Sequence, residues 1–291
     1  MTAHDPTADA RKAALPGFSL PMASALTFIG LAVISWASIL LAGNSGFSDL
    51  FQPKTWSNAW AFVGELLGRG SDNTPAFLNL ESWGNAVRLS LETLAMSVLA
   101  IVFASVPVLL TFLPAARNVA FGELSGSRSL ISIVLFVVMR GAFVITRGIP
   151  ELLWAMLIVF VFTPGILPGA IALGLHNYGI LGKLSAEVVE DLDPRPSRAL
   201  RTAGASNLQM LLYGALPQVL PQFLTYMLYR WEVVIRTTIV VGFVAAGGLG
   251  REFRLSMSFF QYDEVMLLLM CYLLLVLGVD LIATWLRRLV R

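Results

Sequence analysis

From Arg198 to Pro221 the chain reads RALRTAGASNLQMLLYGALPQVLP, a charged, glycine-broken stretch set between apolar runs. Pro196 and Ser197 just before it form a helix start. Ala199, Leu200 and Ala203 give a first short helix one apolar side, and Gly204 ends it. Ser206 or Asn207 caps a second helix, on which Leu208, Leu211, Leu212 and Ala215 share a face and which stops at Pro217. Two short amphipathic helices meeting at a glycine make a compact knob, although an ordinary surface loop has the same spacing.

What surrounds the knob decides the fold class. Of the 291 residues 57% are hydrophobic and only 13% charged, with a mean hydropathy of +0.76. A soluble domain carries about 25% charged residues, and several runs here reach the roughly 18–20 apolar residues that cross a bilayer. The chain therefore reads as an all-α polytopic membrane protein. Spans are expected near 22–43, 86–113, 140–163, 166–184, 218–246 and 264–286. The tract Ser129 to Phe162, which carries Arg140, Arg147 and Pro150, fits either one span with a lead-in helix or two short ones. TPGILPG, Thr163 to Gly169, is a bend that belongs at the membrane surface.

Six spans put both termini on one side. The C-terminal Arg287, Arg288 and Arg291 then join Arg11, Lys12, Arg117, Arg128, Arg195, Arg198 and Arg201 in the cytoplasm, as the positive-inside rule expects. The resulting organisation is a polar tail over 1–20, a first span with an outer segment over 21–80, and a main transmembrane domain over 81–291 containing the loop 185–217. In the outer segment Trp56, Trp60, Val63 and Leu67 recur at helical spacing, as in a helix lying in the membrane plane. Such a helix is either a lid or a docking surface for an outside partner.

Several activities find no support. There is no G-x-x-x-x-G-K-[ST] loop, so no ATP hydrolysis by that route. Gly247, Gly248 and Gly250 follow no strand and are not a dinucleotide fingerprint. Histidines occur at positions 4 and 176 alone, and the single Cys271 lies in an apolar run. No metal site and no catalytic set can be assembled, and no bound cofactor or nucleic-acid partner is expected.

The knob then takes on a family likeness. Ala199, Gly204, Leu216 and Pro217 resemble the loop signature of bacterial ABC importer permeases, E-A-A-x-x-x-G-x9-I-x-L-P. Arg198 stands where that family usually has glutamate, Leu200 at the second alanine, and Gly214 where isoleucine is common. TRGIPELLWAMLIV (Thr146 to Val159), LGLHNYGILGKLSAEVVED (Leu173 to Asp191) and LPQVLPQFLTYMLYRWEVVIRTTIVVGFVAAGGLG (Leu216 to Gly250) extend the match. Together they resemble the permease subunit of phosphonate-type ABC importers, a branch of the methionine-importer-like permease family, over residues 80–290. The resemblance implies an ABC importer type I permease fold and a homodimer. It also implies two cytoplasmic ATPase subunits, which bind the ATP and Mg, and an extracytoplasmic phosphonate-type binding protein that carries most of the selectivity. The setting would be the plasma membrane of a prokaryote, with lipid around the spans. Arg198, Ala199, Arg201, Gly204, Ala205, Ser206, Leu208, Leu211, Leu216 and Pro217 would form the element that docks on the ATPase.

Charges inside the spans are the remaining signal. A mid-membrane charge costs about 2.5–3.5 kcal/mol on insertion scales and so faces a cavity or a partner. Arg88 with Glu92, and Glu232 with Arg236, are each four residues apart and suited to pair on one helix face. Structural ion pairs compete with an anion path through Arg88, Arg230, Glu232 and Arg236, with Tyr226, His176 and Asn177 as candidate lining. Arg140, Arg147 and Glu151 are candidates for an inner gate. Bringing a dianion inward against about 100 mV costs about 4.6 kcal/mol, at about 2.3 kcal/mol per charge. Uptake therefore needs an energy source that this chain lacks. The expected function is a permease for phosphonate or a related oxyanion such as phosphate or phosphite. A permease for methionine or a quaternary amine is the nearest alternative, and a passive channel or membrane scaffold the non-transporter one.

Overall fold

The computed structural model describes residues 20–41, 46–69, 74–124, 128–245 and 247–290. The expected N-terminal tail with Arg11 and Lys12, and Arg291, lie outside the described residues. Two compact units divide the chain, Met1–Val63 and Gly64–Arg291.

In the first unit α1, Leu20–Leu41, carries no charged side chain and is apolar all round, the composition of a lipid-facing span. A 3₁₀ turn at Phe47–Phe51 leads to Pro53, which opens α2 (Pro53–Leu66) at a position where its missing N–H costs nothing. Trp56, Trp60 and Val63 do share an exposed face, and the Trp56 indole donates to the Leu50 carbonyl at 3.0 Å. Leu67 follows in the turn after the helix.

The described residues of the second unit form helices joined by short turns, with no strand among them. It comprises α3 (Leu80–Thr111), a single turn α4 (Arg117–Ala120), α5 (Leu130–Gly148), α6 (Glu151–Val159) and α7 (Ile166–Glu190). After these come α8 (Arg195–Thr202), α9 (Asn207–Gln209), a π-helical segment Met210–Ala215, α10 (Leu216–Ala245), α11 (Gly248–Ser258) and α12 (Tyr262–Val290). Among the described residues α1, α3, α5 and α12 are each long and apolar enough to cross a membrane, and α10 with α11 qualifies as a bent fifth.

The hub is α7, which packs on α3, α5, α6 and α10. In lipid there is no water for apolar side chains to escape, so helices associate through close backbone approach and small residues. Gly174 meets α3, where a Cβ would lie 2.8 Å from Phe103 Cβ. At Gly179 a Cβ would lie 2.6 Å from the Phe143 carbonyl oxygen and 2.7 Å from the Arg147 amide nitrogen, and it would press on Thr146 Oγ1. Gly182 sits against the Phe143 ring. Met96, Ala100 and Ala104 of α3 with Phe112 just after it, Leu173 and Leu181 of α7, and Val219 and Phe223 of α10 complete one buried core.

The helix boundaries correct the expected spans in four places. The third span was expected over 140–163, but its helix starts at Leu130 and breaks at Ile149 before Pro150. Proline has no N–H and forces the residue before it into an extended conformation, φ −91° and ψ 120° at Ile149. Helix α7 runs past 184, the expected end of the fourth span, to Glu190, with Lys183 and Glu187 paired at 3.3 Å and Val188 and Val189 buried. The loop expected from 185 therefore begins six residues later than its acidic composition suggested. The bend Thr163 to Gly169 is only half a bend, since Ile166 already opens α7 and Pro168 is tolerated in its first turn. Pro217 does not stop the second knob helix, because the wider π-helical turns of Met210–Ala215 carry the chain past it into α10. The Gln218 side-chain amide donates to the Gly214 carbonyl at this passage.

Candidate functional site: the knob and the polar seam

The knob forms where expected. Pro194 and Pro196 start α8, and Gly204 turns the chain with φ +86°, a backbone state that residues bearing a Cβ seldom adopt. Ser206 then caps α9 in a capping box with Gln209, each side chain bonded to the other's backbone N–H. Gly214 lets α8 rest directly on the π-helical segment, since a Cβ there would lie 2.9 Å from Ser197 Oγ and 3.2 Å from Leu200 Cδ1.

The apolar face differs from the expected one. Met210, Gly214 and Ala215 are buried, Leu211 is partly buried, and Leu208, Leu212 and Tyr213 are exposed at 65%, 41% and 73%. The π-helical turn shifts the register that a regular helix would have kept. Tyr213, which spacing did not single out, thus joins Leu208 and Leu212 on the outer surface of the knob. Arg198 and Arg201 lie exposed on α8, with Ala199.

Gly204→Val is expected to cost about 1–3 kcal/mol of local stability by forcing a β-branched residue into the left-handed region. Trypsin should then cut faster after Arg198 and Arg201, while thermal unfolding of the bundle stays unchanged. Equal cutting rates would refute the strain.

Above the knob, charged side chains draw α5, α6, α7, α10 and α12 together, but not in the expected pairs. Glu232 does not pair with Arg236. It contacts Arg287 Nη1 at 2.6 Å, while Arg236 Nη2 donates to both oxygens of Asp280 at 2.8 and 3.0 Å. The reach of an arginine to the next helix outcompetes an intrahelical contact worth about 0.2–0.5 kcal/mol. Arg88 donates to Asn85 Oδ1 at 3.3 Å and makes no bond to Glu92. Arg140, Arg147 and Glu151, the candidates for an inner gate, make no recorded contact with one another. Arg140 donates to Glu190 at 2.5 Å and to the Ala115 carbonyl at 2.8 Å, and Glu190 also accepts from the Arg117 amide at 2.7 Å. Glu151, at the start of α6, instead meets His176 at 3.3 Å.

Arg230 is held differently. Its Nε and Nη2 both donate to Asn177 Oδ1, at 2.8 and 2.6 Å, and Asn177 is fully buried with its own amide on the Leu173 carbonyl at 2.7 Å. Tyr226, one turn earlier on α10, accepts from Gln222 at 2.9 Å. The arrangement presents a planar guanidinium fixed in direction by a neutral amide, with three further N–H groups not used in that contact. Sequence reasoning missed Asp280, although one carboxylate in the apolar run of α12 was a readable signal. It also placed Glu190 and Arg287 in solvent-facing segments rather than in pairs.

Known proteins resemble this chain over most of its length. A family model described as binding-protein-dependent transport system inner membrane component matches residues 118–291. The chain is 36% identical over 281 residues to the phosphite transport system permease protein PtxC of Stutzerimonas stutzeri, covering 97% of this chain and 95% of that one. It is 34% identical over 239 residues to the phosphate-import permease protein PhnE of Mycolicibacterium smegmatis, covering 79% of this chain and 43% of that one. Among solved structures, the methionine ABC transporter MetNI in inward-facing conformations matches with a TM-score of 0.58 at 19% identity, over 70% of this chain and 95% of that one. At that identity the likeness concerns the fold.

Proposed function

Because the chain belongs to the family of binding-protein-dependent transport system inner membrane components, and so is the permease of an ABC importer, we propose that it carries a phosphorus oxyanion through a path at Arg230. The class comprises phosphite, phosphate and phosphonates. Two copies form the path, and each has six spans with both termini in the cytoplasm. α7 supplies the span that its polar side chains keep from reading as one by hydropathy. The knob of α8, α9 and the π-helical segment docks on a separate ATPase that binds ATP and Mg. An extracytoplasmic binding protein delivers the substrate.

The observation that carries the oxyanion reading is the charge balance of α10. Arg236 and Glu232 are each matched by an opposite charge on α12, whereas Arg230 is held by the neutral Asn177. Among the described residues it makes no salt bridge, and the Glu151 carboxylate acts on it only from beyond ion-pair distance, so part of its positive charge remains to attract an anion, from which a zwitterion or a quaternary amine gains less. Relatives named for phosphite and phosphate transport support the same class.

The test is uptake of labelled phosphite, phosphate and methylphosphonate by proteoliposomes holding the permease with its ATPase and binding protein. Arg230→Gln is expected to lower uptake at least tenfold, the loss of one charge-assisted hydrogen bond or more, with the complex still assembled. Unchanged uptake would remove Arg230 from the path. Arg236→Ala serves poorly here, since it leaves Asp280 without its partner and disturbs packing.

A further inference from the structure

Helix α7 ends at Glu190, and α8, the first helix of the knob, begins at Arg195. Acidic side chains crowd this approach, and they find different partners. Glu187 pairs with Lys183 on its own helix, and Asp193 accepts from the Arg195 amide in its own turn at 2.9 Å. Glu190 reaches across instead. One of its oxygens, Oε1, accepts from Arg140 Nη2 of α5 at 2.5 Å and from the Arg117 amide at 2.7 Å.

Both donors belong to segments remote from the knob in sequence. Arg117 opens α4, whose N-cap, Ala116, has no side-chain oxygen, so the orphan N–H at that helix start is met by Glu190 from α7. Arg140 also donates through Nε to the Ala115 carbonyl at 2.8 Å, and the Asn118 side-chain amide donates to the Val189 carbonyl at 2.6 Å. Ala115, Ala116 and Asn118 are buried. The last turn of α7, the turn that follows α3 and the middle of α5 are thereby joined in a closed ring of hydrogen bonds. Those made to the Glu190 carboxylate are charge-assisted, and so stronger than bonds between neutral groups.

The knob therefore has two roots. Toward the C-terminus it continues through the π-helical segment into α10. Toward the N-terminus it hangs from α7 at Glu190, where the ring ties it to α5 and to the turn after α3. We infer that Glu190 is a positioning residue for transport, which makes the root of the knob, the α4 turn and α5 move as one body. A shift of the knob then reaches the α3–α5 side of the bundle as well as α10. The inference rests on the reading that the knob docks on the ATPase.

In the first arm of the test, uptake of phosphite and phosphate by the assembled importer is measured together with ATP hydrolysis. Glu190→Ala is expected to lower uptake per ATP about tenfold, the weight of one hydrogen bond to a charged group, with the complex still assembled. Arg140→Ala makes the same test from the other side, should Glu190→Ala not assemble. Because the two side chains share one contact, the double variant should be no worse than either single one. An unchanged ratio in both single variants, or losses that multiply in the double one, would overturn the inference. The second arm needs no transported substrate. Hydrogen exchange of the importer is compared with and without a non-hydrolysable ATP analogue. In the wild type the nucleotide should alter exchange both in α8 and over 115–121, and in Glu190→Ala in α8 alone. A change of equal reach in Glu190→Ala overturns the role of Glu190 and leaves the docking of the knob in place. An α8 that does not respond in the wild type removes the docking reading, and the inference goes with it. If neither anion is carried, the oxyanion reading falls and the exchange data alone decide.

Discussion

Gly179→Val is expected to prevent the bundle from assembling. Its side chain would enter a space bounded by the Phe143 carbonyl, the Arg147 amide and Thr146 Oγ1, two of which are backbone atoms that cannot rotate away. Helix α5 would have to move off α7 along its whole contact, separating Phe143 from Tyr178, whose rings now meet at 5.1 Å. Overpacking usually costs about 1–3 kcal/mol, and an obstacle made of backbone belongs at the top of that range or above it. Detergent-solubilised variant should elute as aggregate in size-exclusion chromatography and lose its thermal transition. Gly141→Val is the matched control, since a Cβ there meets nothing within 4 Å. If Gly179→Val eluted and melted as the wild type does, the close α5–α7 contact would be wrong.

The second large effect concerns the knob. Gly214→Ile would place in this chain the residue that the family signature commonly carries at this point, and here it is expected to fail. Ser197 is buried against the π-helical segment, and its Oγ and the Leu200 side chain fill the volume that isoleucine needs. Helix α8 must tilt outward, taking Arg198, Ala199 and Arg201 with it. In the reconstituted importer, uptake should drop to background while ATP hydrolysis continues without stimulation by the loaded binding protein. The thermal transition of the bundle should stay near the wild-type value. Normal uptake would show that α8 has no fixed seat, and the coupling role assigned to it would go.

Much of this architecture was readable before any coordinates. Apolar length gave the helices, because burial in lipid selects composition more strictly than any soluble core does. Gly204 and Ser206 announced the knob, since left-handed turns and helix caps depend on one or two residues and on nothing remote. What escaped reading was non-local. The spacing of Glu232 and Arg236 suggests a pair, but long side chains choose partners across helices, and the partners lie 55 and 44 residues away. Leu208, Leu211, Leu212 and Ala215 share a face only if the helix keeps its regular pitch, and the π-helical segment before Pro217 removes that premise. Likewise, the length of α7 could not be judged from its acidic end, because Glu190 is drawn into the bundle by Arg140.

The two ion pairs between α10 and α12 have a consequence for how the chain assembles after insertion. The helices run antiparallel, with Glu232 against Arg287 and Arg236 against Asp280. Sliding α12 one way along α10 brings Arg287 toward Arg236, and sliding it the other way brings Asp280 toward Glu232. Either error sets like charges together, where repulsion is barely screened by water. Apolar faces in lipid discriminate poorly between neighbouring registers, so these four side chains act as an alignment code, read once, while the last span finds its place.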